Sequence, residues 1–503
     1  MKITATQEQQ RATDLFATGR SLKISAFAGA GKTATLALLA HSTRKQGYYL
    51  AFNRALAREA RTKFPCWVQC KTTHALAYHA TAEAYRRNCD KMFSSINGNR
   101  IARIFDLEAL QVSPGLRLSA RLRGALILET VRKFQQSDNQ DINQHHVPDW
   151  GKMQFASDDE KKSIRQDVIR YAQLLWERML DPNDLIVPLG HDGYLKLWAI
   201  SNPLIPGDYI LMDEAQDTNP VMLGVLKNQK AQLVYVGDRH QQIYEWRGAI
   251  NAMANVETEF ESPLTQSFRF GDAIAEAASK LLAALGEKKL ITGNPAVNSR
   301  LGCDNPNVIL CRTNSGVIEY TIRALDSGEK IHVVGGTGDI LRLLNGVTRL
   351  KAGKKDDHPE FFGFSNWAEV VEFSNSDEGA GLRTFVRLVD DYGEYFLIDS
   401  LTRMNSSEKD ASLILSTVHK AKGRQWNRVL VNDDFTIMNK SKNGKQEFNE
   451  AEVRLLYVAL TRARKSVQIP PSLASMFGLL HDTKNWVHNN SWSAKQSEVV
   501  KQV

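Results

Sequence analysis

The chain has 503 residues, 43% of them apolar, enough to bury more than one core and to form about two to four domains. Lysine and arginine outnumber aspartate and glutamate by 64 to 56, for a formal net charge of +8; this balance suits a polyanionic partner without requiring one. The composition excludes a disordered tail, and no run approaches the roughly 18 apolar residues of a membrane span, so a cytoplasmic protein with no membrane partner is expected.

Five cysteines (Cys66, Cys70, Cys89, Cys303 and Cys311) are too sparse, and odd in number, for a disulfide framework. Cys66, Cys70 and His74 have C-x3-C-x3-H spacing, which admits a metal site, but they fall in a strand-like stretch and ordinary structural roles are the favoured reading.

In chain order, an apolar strand over Leu22 to Phe27 runs through a glycine turn into a helix over Thr33 to Ala40. A strand over Tyr48 to Phe52 and a helix over Ala55 to Lys63 follow, which is the patterning of a parallel sheet. Residues 86–199 are helix-rich and charged; their Arg117, Arg121, Arg123, Arg132 and Lys133 read as a solvated face in preference to phosphate contacts. Short apolar strands resume at Asp208 to Met212 and Gln232 to Val236. A second α/β set has strands at Asn307 to Cys311, Ile331 to Val334, Leu413 to Ser416 and Arg428 to Val431. A second insertion interrupts it, with a β-like stretch near Phe385 to Val389.

The stretch Ala26-Phe-Ala-Gly-Ala-Gly-Lys-Thr33 lies between an apolar strand and a helix, the context of a phosphate-binding loop. Backbone N–H groups of Ala28, Gly29, Ala30 and Gly31 can wrap phosphate oxygens, helped by the positive end of the helix. Lys32 is placed to reach the β- and γ-phosphates, Thr33 to ligate Mg²⁺, and Thr35 to lie beside the nucleotide. The usual first glycine is Ala26 here. Asp213 and Glu214, in Leu211-Met-Asp-Glu-Ala-Gln-Asp217, end an apolar strand, where adjacent carboxylates are costly unless they serve a cation and a reaction. Asp213 fits as a Mg²⁺ partner and Glu214 as the base for an attacking water.

These residues and five further motifs, in order from about residue 4 to 466, resemble the UvrD/PcrA group of superfamily 1 DNA helicases, most closely its F-box-helicase-like branch in the motor portion alone. Thr6-Gln-Glu-Gln9 resembles the adenine-reading motif, which implies that Gln9 bonds the base edge. Gly237-Asp-Arg-His-Gln-Gln-Ile-Tyr-Glu-Trp-Arg-Gly248 resembles the third motif, in which Gln241 would sense the γ-phosphate and Tyr244, Trp246 and Arg247 would link that sensing to DNA. Leu264-Thr-Gln-Ser-Phe-Arg269 resembles the fourth: Phe268 would stack on adenine in place of a tyrosine, and Arg269 would contact the γ-phosphate. Thr417-Val-His-Lys-Ala-Lys-Gly423 and Val453-Arg-Leu-Leu-Tyr-Val-Ala-Leu-Thr-Arg-Ala463 resemble the fifth and sixth, the last supplying Arg462 as a second arginine finger. Gln425 stands where the family has a glutamate that contacts the nucleotide sugar. Tyr49-Leu-Ala-Phe-Asn-Arg54, Thr72-Thr-His-Ala-Leu-Ala77 and His191-Asp-Gly-Tyr-Leu-Lys-Leu-Trp198 carry the F-box-helicase likeness.

The resemblance implies an α/β fold of two RecA-like P-loop domains with parallel sheets, each interrupted by an inserted accessory domain (the 1A/1B/2A/2B arrangement). The expected boundaries are 1–85 with 200–262 for domain 1A, 86–199 for helical insertion 1B, 263–345 with 408–470 for domain 2A, 346–407 for a reduced insertion 2B, and 471–503 for a C-terminal tail. ATP and Mg²⁺ are the implied cofactors, single-stranded DNA and its junctions with duplex the implied partners, and 3′-to-5′ movement the implied polarity. Phe52, Asn53, His74 and His419 are implied DNA contacts beside the third-motif residues. Repair, recombination control or defence is the expected setting. Three alternatives stay open: a protein-stripping translocase with little unwinding, a nucleic-acid-gated ATPase switch within a nuclease-containing complex, and use of RNA.

Overall fold

The computed structural model describes residues 5–479 apart from 151–155, 244–250, 355, 357, 362–363, 376–379, 404–406 and 441–445. Two compact units divide the chain: Met1–Ala26 with Gly31–Leu264, and Phe27–Ala30 with Thr265–Val503.

The first unit opens with helix α1 (Gln7–Ala17), whose Thr6 and Gln9 form a reciprocal capping box. Strand β1 (Leu22–Ala26), α2 (Lys32–His41), β2 (Gly47–Ala51), α3 (Arg54–Ala60), β3 (Val68–Thr72) and α4 (Thr73–Ala80) follow. After a helical stretch with a short antiparallel hairpin, β4 (Leu110–Ser113) and β5 (Leu116–Leu118), the sheet resumes with β6 (Tyr209–Met212), β7 (Gln232–Gly237) and β8 (Phe260–Leu264). The large sheet is parallel throughout, in the order β3-β2-β6-β7-β1-β8. Its central strands are apolar runs buried on both faces, as a parallel sheet covered by helices requires. Because β6, β7 and β1 are neighbours, the turns leaving their carboxyl ends meet at one edge of the sheet, where open α/β sheets bind ligands.

The helices between β3 and β6 bury their apolar faces in the same core as the sheet: Ile127, Phe134, Val168 and Trp198 belong to one cluster with Leu50, Ile210 and Met212. Two buried lysines take the carbonyl ends of the two longest of these helices. Lys91 Nζ donates to Arg178 O (3.1 Å), near the end of Asp158–Leu180, and to the carbonyls of Asp184 (3.0 Å) and Val187 (2.8 Å). Lys196 Nζ donates to Ser137 O (2.8 Å) and Asn139 O (2.5 Å), just beyond Ala120–Gln136. Both place a cation at the negative pole of a helix. Arg123, expected on a solvated face, is instead buried, with its guanidinium 2.8 Å from Asp167.

The second unit has its own parallel sheet, β9 (Arg300–Leu301), β10 (Val308–Cys311), β11 (Ile331–Val333), β12 (Leu413–Thr417), β13 (Trp426–Val431) and β16 (Ala463–Gln468), in the order β11-β12-β10-β13-β16-β9. A hairpin of β14 (Met438–Lys440) and β15 (Gln446–Phe448) precedes the helix Glu450–Leu460. The β-like stretch expected near Phe385 to Val389 is helical, part of Arg383–Tyr392. Its buried Phe385, Val386, Leu388 and Val389 fall at the helical period, and two valines in a short apolar window mimic a strand when that period is overlooked. They share a core with Phe361, Trp367, Leu415 and Leu430.

Among the described residues no helix is long and apolar enough to cross a membrane. No group of three or more His, Cys, Asp or Glu among them could hold a metal ion, so Cys66, Cys70 and His74 do not assemble the cluster that their spacing admits; Cys70 is buried and Cys66 exposed.

Candidate functional site

In the first unit, α2 begins at Gly31, whose φ of 75° is a left-handed backbone that glycine adopts without strain. This turn presents Lys32 and Thr33 to the end of β6. Lys32 Nζ lies 2.8 Å from Glu214 Oε2, and Thr33 Oγ1 donates to Asp213 Oδ2 at 2.9 Å. Asp213 is buried and also accepts from the Tyr49 hydroxyl at 2.6 Å. Glu214 has a φ of 51°, a conformation that costs a non-glycine residue energy and that turns its side chain back toward Lys32.

A buried relay joins this cluster to the end of β7. Gln216 Nε2 donates to Glu214 Oε2 (2.6 Å), Gln216 Oε1 accepts the Asp238 N–H (3.0 Å), and Gln241 Nε2 donates to Asp238 Oδ2 (2.7 Å). Gly237 permits this approach, since a Cβ there would stand 2.4 Å from Gln216 Oε1. Burial works against the charge of Lys32, but Glu214, Asp238 and Asp213 outweigh it and raise its pKa. Burial also raises the Asp213 pKa, and the neighbouring Glu214 raises it further, against the pull of Lys32, Tyr49 and Thr33.

Three carboxylates surround one ammonium here, and the Thr33 hydroxyl lies beside the buried Asp213, a hydroxyl–carboxylate pair of the chemistry that Mg²⁺ takes beside phosphate oxygens. Thr33 and Asp213 are the groups that would hold the ion. Gln9 Nε2 bonds Thr35 Oγ1 at 3.1 Å, and Thr35 is buried against the Gly31 carbonyl, so both belong to the support of this loop.

The second unit groups the remaining nucleotide-motif residues. Ala28 N–H donates to the Tyr457 hydroxyl (3.0 Å), and Phe268 N–H donates to Gly29 O (2.8 Å). Gly29 has a φ of 75°, and a Cβ there would stand 2.5 Å from Ser267 Oγ and 2.8 Å from Arg269 Cβ. Ala30 N–H returns to Phe27 O at 3.2 Å. Phe268 is 45% exposed. Arg269 donates from Nε to Gln425 Oε1 (3.0 Å) and from Nη1 to Thr461 O (2.8 Å), while Arg462 is buried, donating to Val458 O (2.8 Å) and Thr461 Oγ1 (3.1 Å). Gln425 thus holds Arg269 through a neutral amide. His419 is half-buried on the short helix Val418–Ala421.

Of the expected nucleic-acid contacts, Phe52 is 47% exposed just beyond β2 and so is not core. Asn53 Oδ1 caps α3 by accepting Leu56 N–H at 2.9 Å. His74 begins α4 beside Asp192, with Nε2 3.8 Å from its carboxylate. Tyr244, Trp246 and Arg247 lie outside the described residues. Sequence reasoning missed Tyr49, Gln216 and Asp238, whose roles exist only once β2, β6 and β7 are neighbours.

The UvrD/REP helicase N-terminal domain matches residues 5–261, just over half of the chain, and the UvrD-like helicase C-terminal domain matches 412–469. The chain belongs to the UvrD/REP helicase family. It is 32% identical over 507 residues to F-box DNA helicase protein 1 of Schizosaccharomyces pombe, covering 92% of this chain and 56% of that one. It is 30% identical over 524 residues to F-box DNA helicase 1 of Gallus gallus, covering 95% and 50%. A 98-residue stretch, 17% of this chain and 13% of the other, is 35% identical to the ATP-dependent DNA helicase PcrA of Leuconostoc citreum. The chain spans about half the length of the F-box relatives that it matches.

Proposed function

We propose that the chain is an ATP-dependent single-stranded DNA translocase and helicase that couples Mg-ATP hydrolysis to 3′-to-5′ movement and strand separation, working in DNA repair, recombination control or defence. The observation that carries this is the joining of Lys32 and Thr33 to Glu214 and Asp213, two motifs about 180 residues apart, at hydrogen-bond distance. The names of the relatives support DNA as the track.

Bound Mg²⁺ would supply neutralisation of charge on the β- and γ-phosphate oxygens. Lys32 holds the same phosphates; Glu214 orients and deprotonates the attacking water; Arg269 and Arg462 stabilise the charge of the γ-phosphoryl group as it passes from ADP to the water. The Gln216–Asp238–Gln241 relay ties Glu214 to the segment that contains Tyr244, Trp246 and Arg247, a physical route between nucleotide state and strand. Phe52, Asn53, His74 and His419 complete the strand contacts in this reading.

Steady-state ATP hydrolysis by wild type, Lys32→Ala and Glu214→Gln tests it, with no nucleic acid, single-stranded DNA, duplex DNA or single-stranded RNA present. Stimulation by single-stranded DNA and a loss of about 100-fold or more in both variants are expected. Turnover indifferent to every nucleic acid would sink the translocase and favour a partner-gated ATPase switch.

A further inference from the structure

In the second unit, a short segment, Arg424 to Trp426, leads from the turn at Gly423, whose φ is 82°, into β13. It is tied to Arg462 on both sides: Arg462 Nη1 donates to Arg424 O (3.4 Å), and Trp426 N–H donates to Arg462 O (2.9 Å). The residue between these two bonds is Gln425. Its side chain reaches the other arginine, since Arg269 Nε donates to Gln425 Oε1 at 3.0 Å. One segment therefore carries both Arg269 and Arg462.

An arginine Nε–H can only donate, so the amide atom that faces it is the oxygen, and the orientation of the Gln425 amide follows. Arg269 Nη1 is held by the carbonyl of Thr461, the C-cap of the helix Glu450–Leu460. Neither acceptor carries a formal charge. Elsewhere Arg178, Arg312 and Arg403 set the same nitrogen on a carboxylate, at 2.6, 2.6 and 2.9 Å. A carboxylate holds a guanidinium more tightly than an amide does, but it also offsets the charge. An amide fixes the direction of the fork and leaves the charge in place. Gln425 is exposed, so water could serve its amide equally well. What the bond adds is order in Arg269, whose long side chain otherwise keeps its rotamer freedom.

We propose that Gln425 is the positioning residue of this arginine pair: its amide oxygen fixes the Arg269 fork relative to Arg462, and its neutrality leaves the guanidinium its full charge for the γ-phosphoryl group. The inference rests on the role given to Arg269 under the proposed function and adds to it a residue that touches no phosphate. It also takes Gln425 away from the nucleotide sugar, where the sequence resemblance placed this position.

The test compares Gln425→Glu, Gln425→Ala, Arg269→Ala and the double variant Gln425→Glu with Arg269→Ala in the full chain. Turnover at saturating ATP with oligo(dT) present gives kcat, and titration gives the affinity for ADP. Gln425→Glu is close to isosteric and keeps an acceptor beside Arg269, so it preserves the fold. It should lower kcat about 10- to 100-fold and Gln425→Ala about 10-fold, with ADP affinity within about 2-fold of wild type in both. Arg269→Ala should lose about 1,000-fold in kcat. Adding Gln425→Glu to it should cost nothing more, because a group that acts through Arg269 then has nothing left to position. Wild-type turnover in Gln425→Glu, or an equal loss with and without Arg269, would overturn the inference. Unchanged kcat with weakened ADP binding would overturn it too and return Gln425 to the sugar. Wild-type turnover in Arg269→Ala would remove the reading beneath it.

Discussion

Asp213 shows how a side chain proposed to hold the metal can work against stability. Burial and the adjacent Glu214 raise its pKa above the ordinary 3.8, so the folded chain binds this proton more tightly than the unfolded one. The stability that this proton linkage contributes is therefore complete below 3.8 and is lost as pH rises through the raised folded value, which is a cost at neutral pH. Asp213→Asn removes that cost and can still accept from Tyr49 and Thr33. Measured by calorimetry in EDTA at pH 7.5, the variant should melt about 2–4 °C above wild type, the shift that 1 kcal/mol gives in a unit of this size. The gap should close toward pH 4, and Mg-dependent turnover should be lost. A lower melting temperature for the variant would show that Asp213 stabilises the fold. That two carboxylates end an apolar strand was legible in the sequence; that Tyr49 closes one of them off from water was not, because Tyr49 sits 164 residues away.

At the scale of elements, the helices between β3 and β6 depend on buried cations that hydropathy reads as surface. Lys91 is buried with three carbonyls on its Nζ, one of them at the end of the helix Asp158–Leu180. Lys91→Met keeps most of the stem volume and leaves those carbonyls without a donor, a loss of about 3 kcal/mol by the usual cost of buried unsatisfied groups. Urea unfolding should show it, with nucleotide-independent properties of the second unit unchanged; a loss under about 0.5 kcal/mol would mean that water replaces the ammonium. The helix Arg383–Tyr392 teaches a related lesson. Five residues were too few to tell period 2 from period 3.6, and ten with their buried face settle it.

At the scale of the molecule, the proposed motor requires that nucleotide and strand change each other's affinity. The linkage is reciprocal: whatever factor ADP changes in oligo(dT) affinity, oligo(dT) must change in ADP affinity. Titrations in both directions should give the same factor, about 5- to 150-fold. Mutual indifference would mean that nucleotide state and strand are uncoupled.

Local pattern sufficed to find the phosphate loop, the acidic strand end and the order of the motifs, because each is a short run whose backbone context is written beside it. The parallel α/β class followed from apolar runs alternating with helices. Only the tertiary structure decided what the motifs share. Strand order made β6, β7 and β1 neighbours and so connected Lys32, Asp213, Glu214, Gln216 and Gln241. It also turned Arg123 and Lys91 inward. Charge is local in a sequence, but its partner, and hence its meaning, is fixed by which distant segment the core brings beside it.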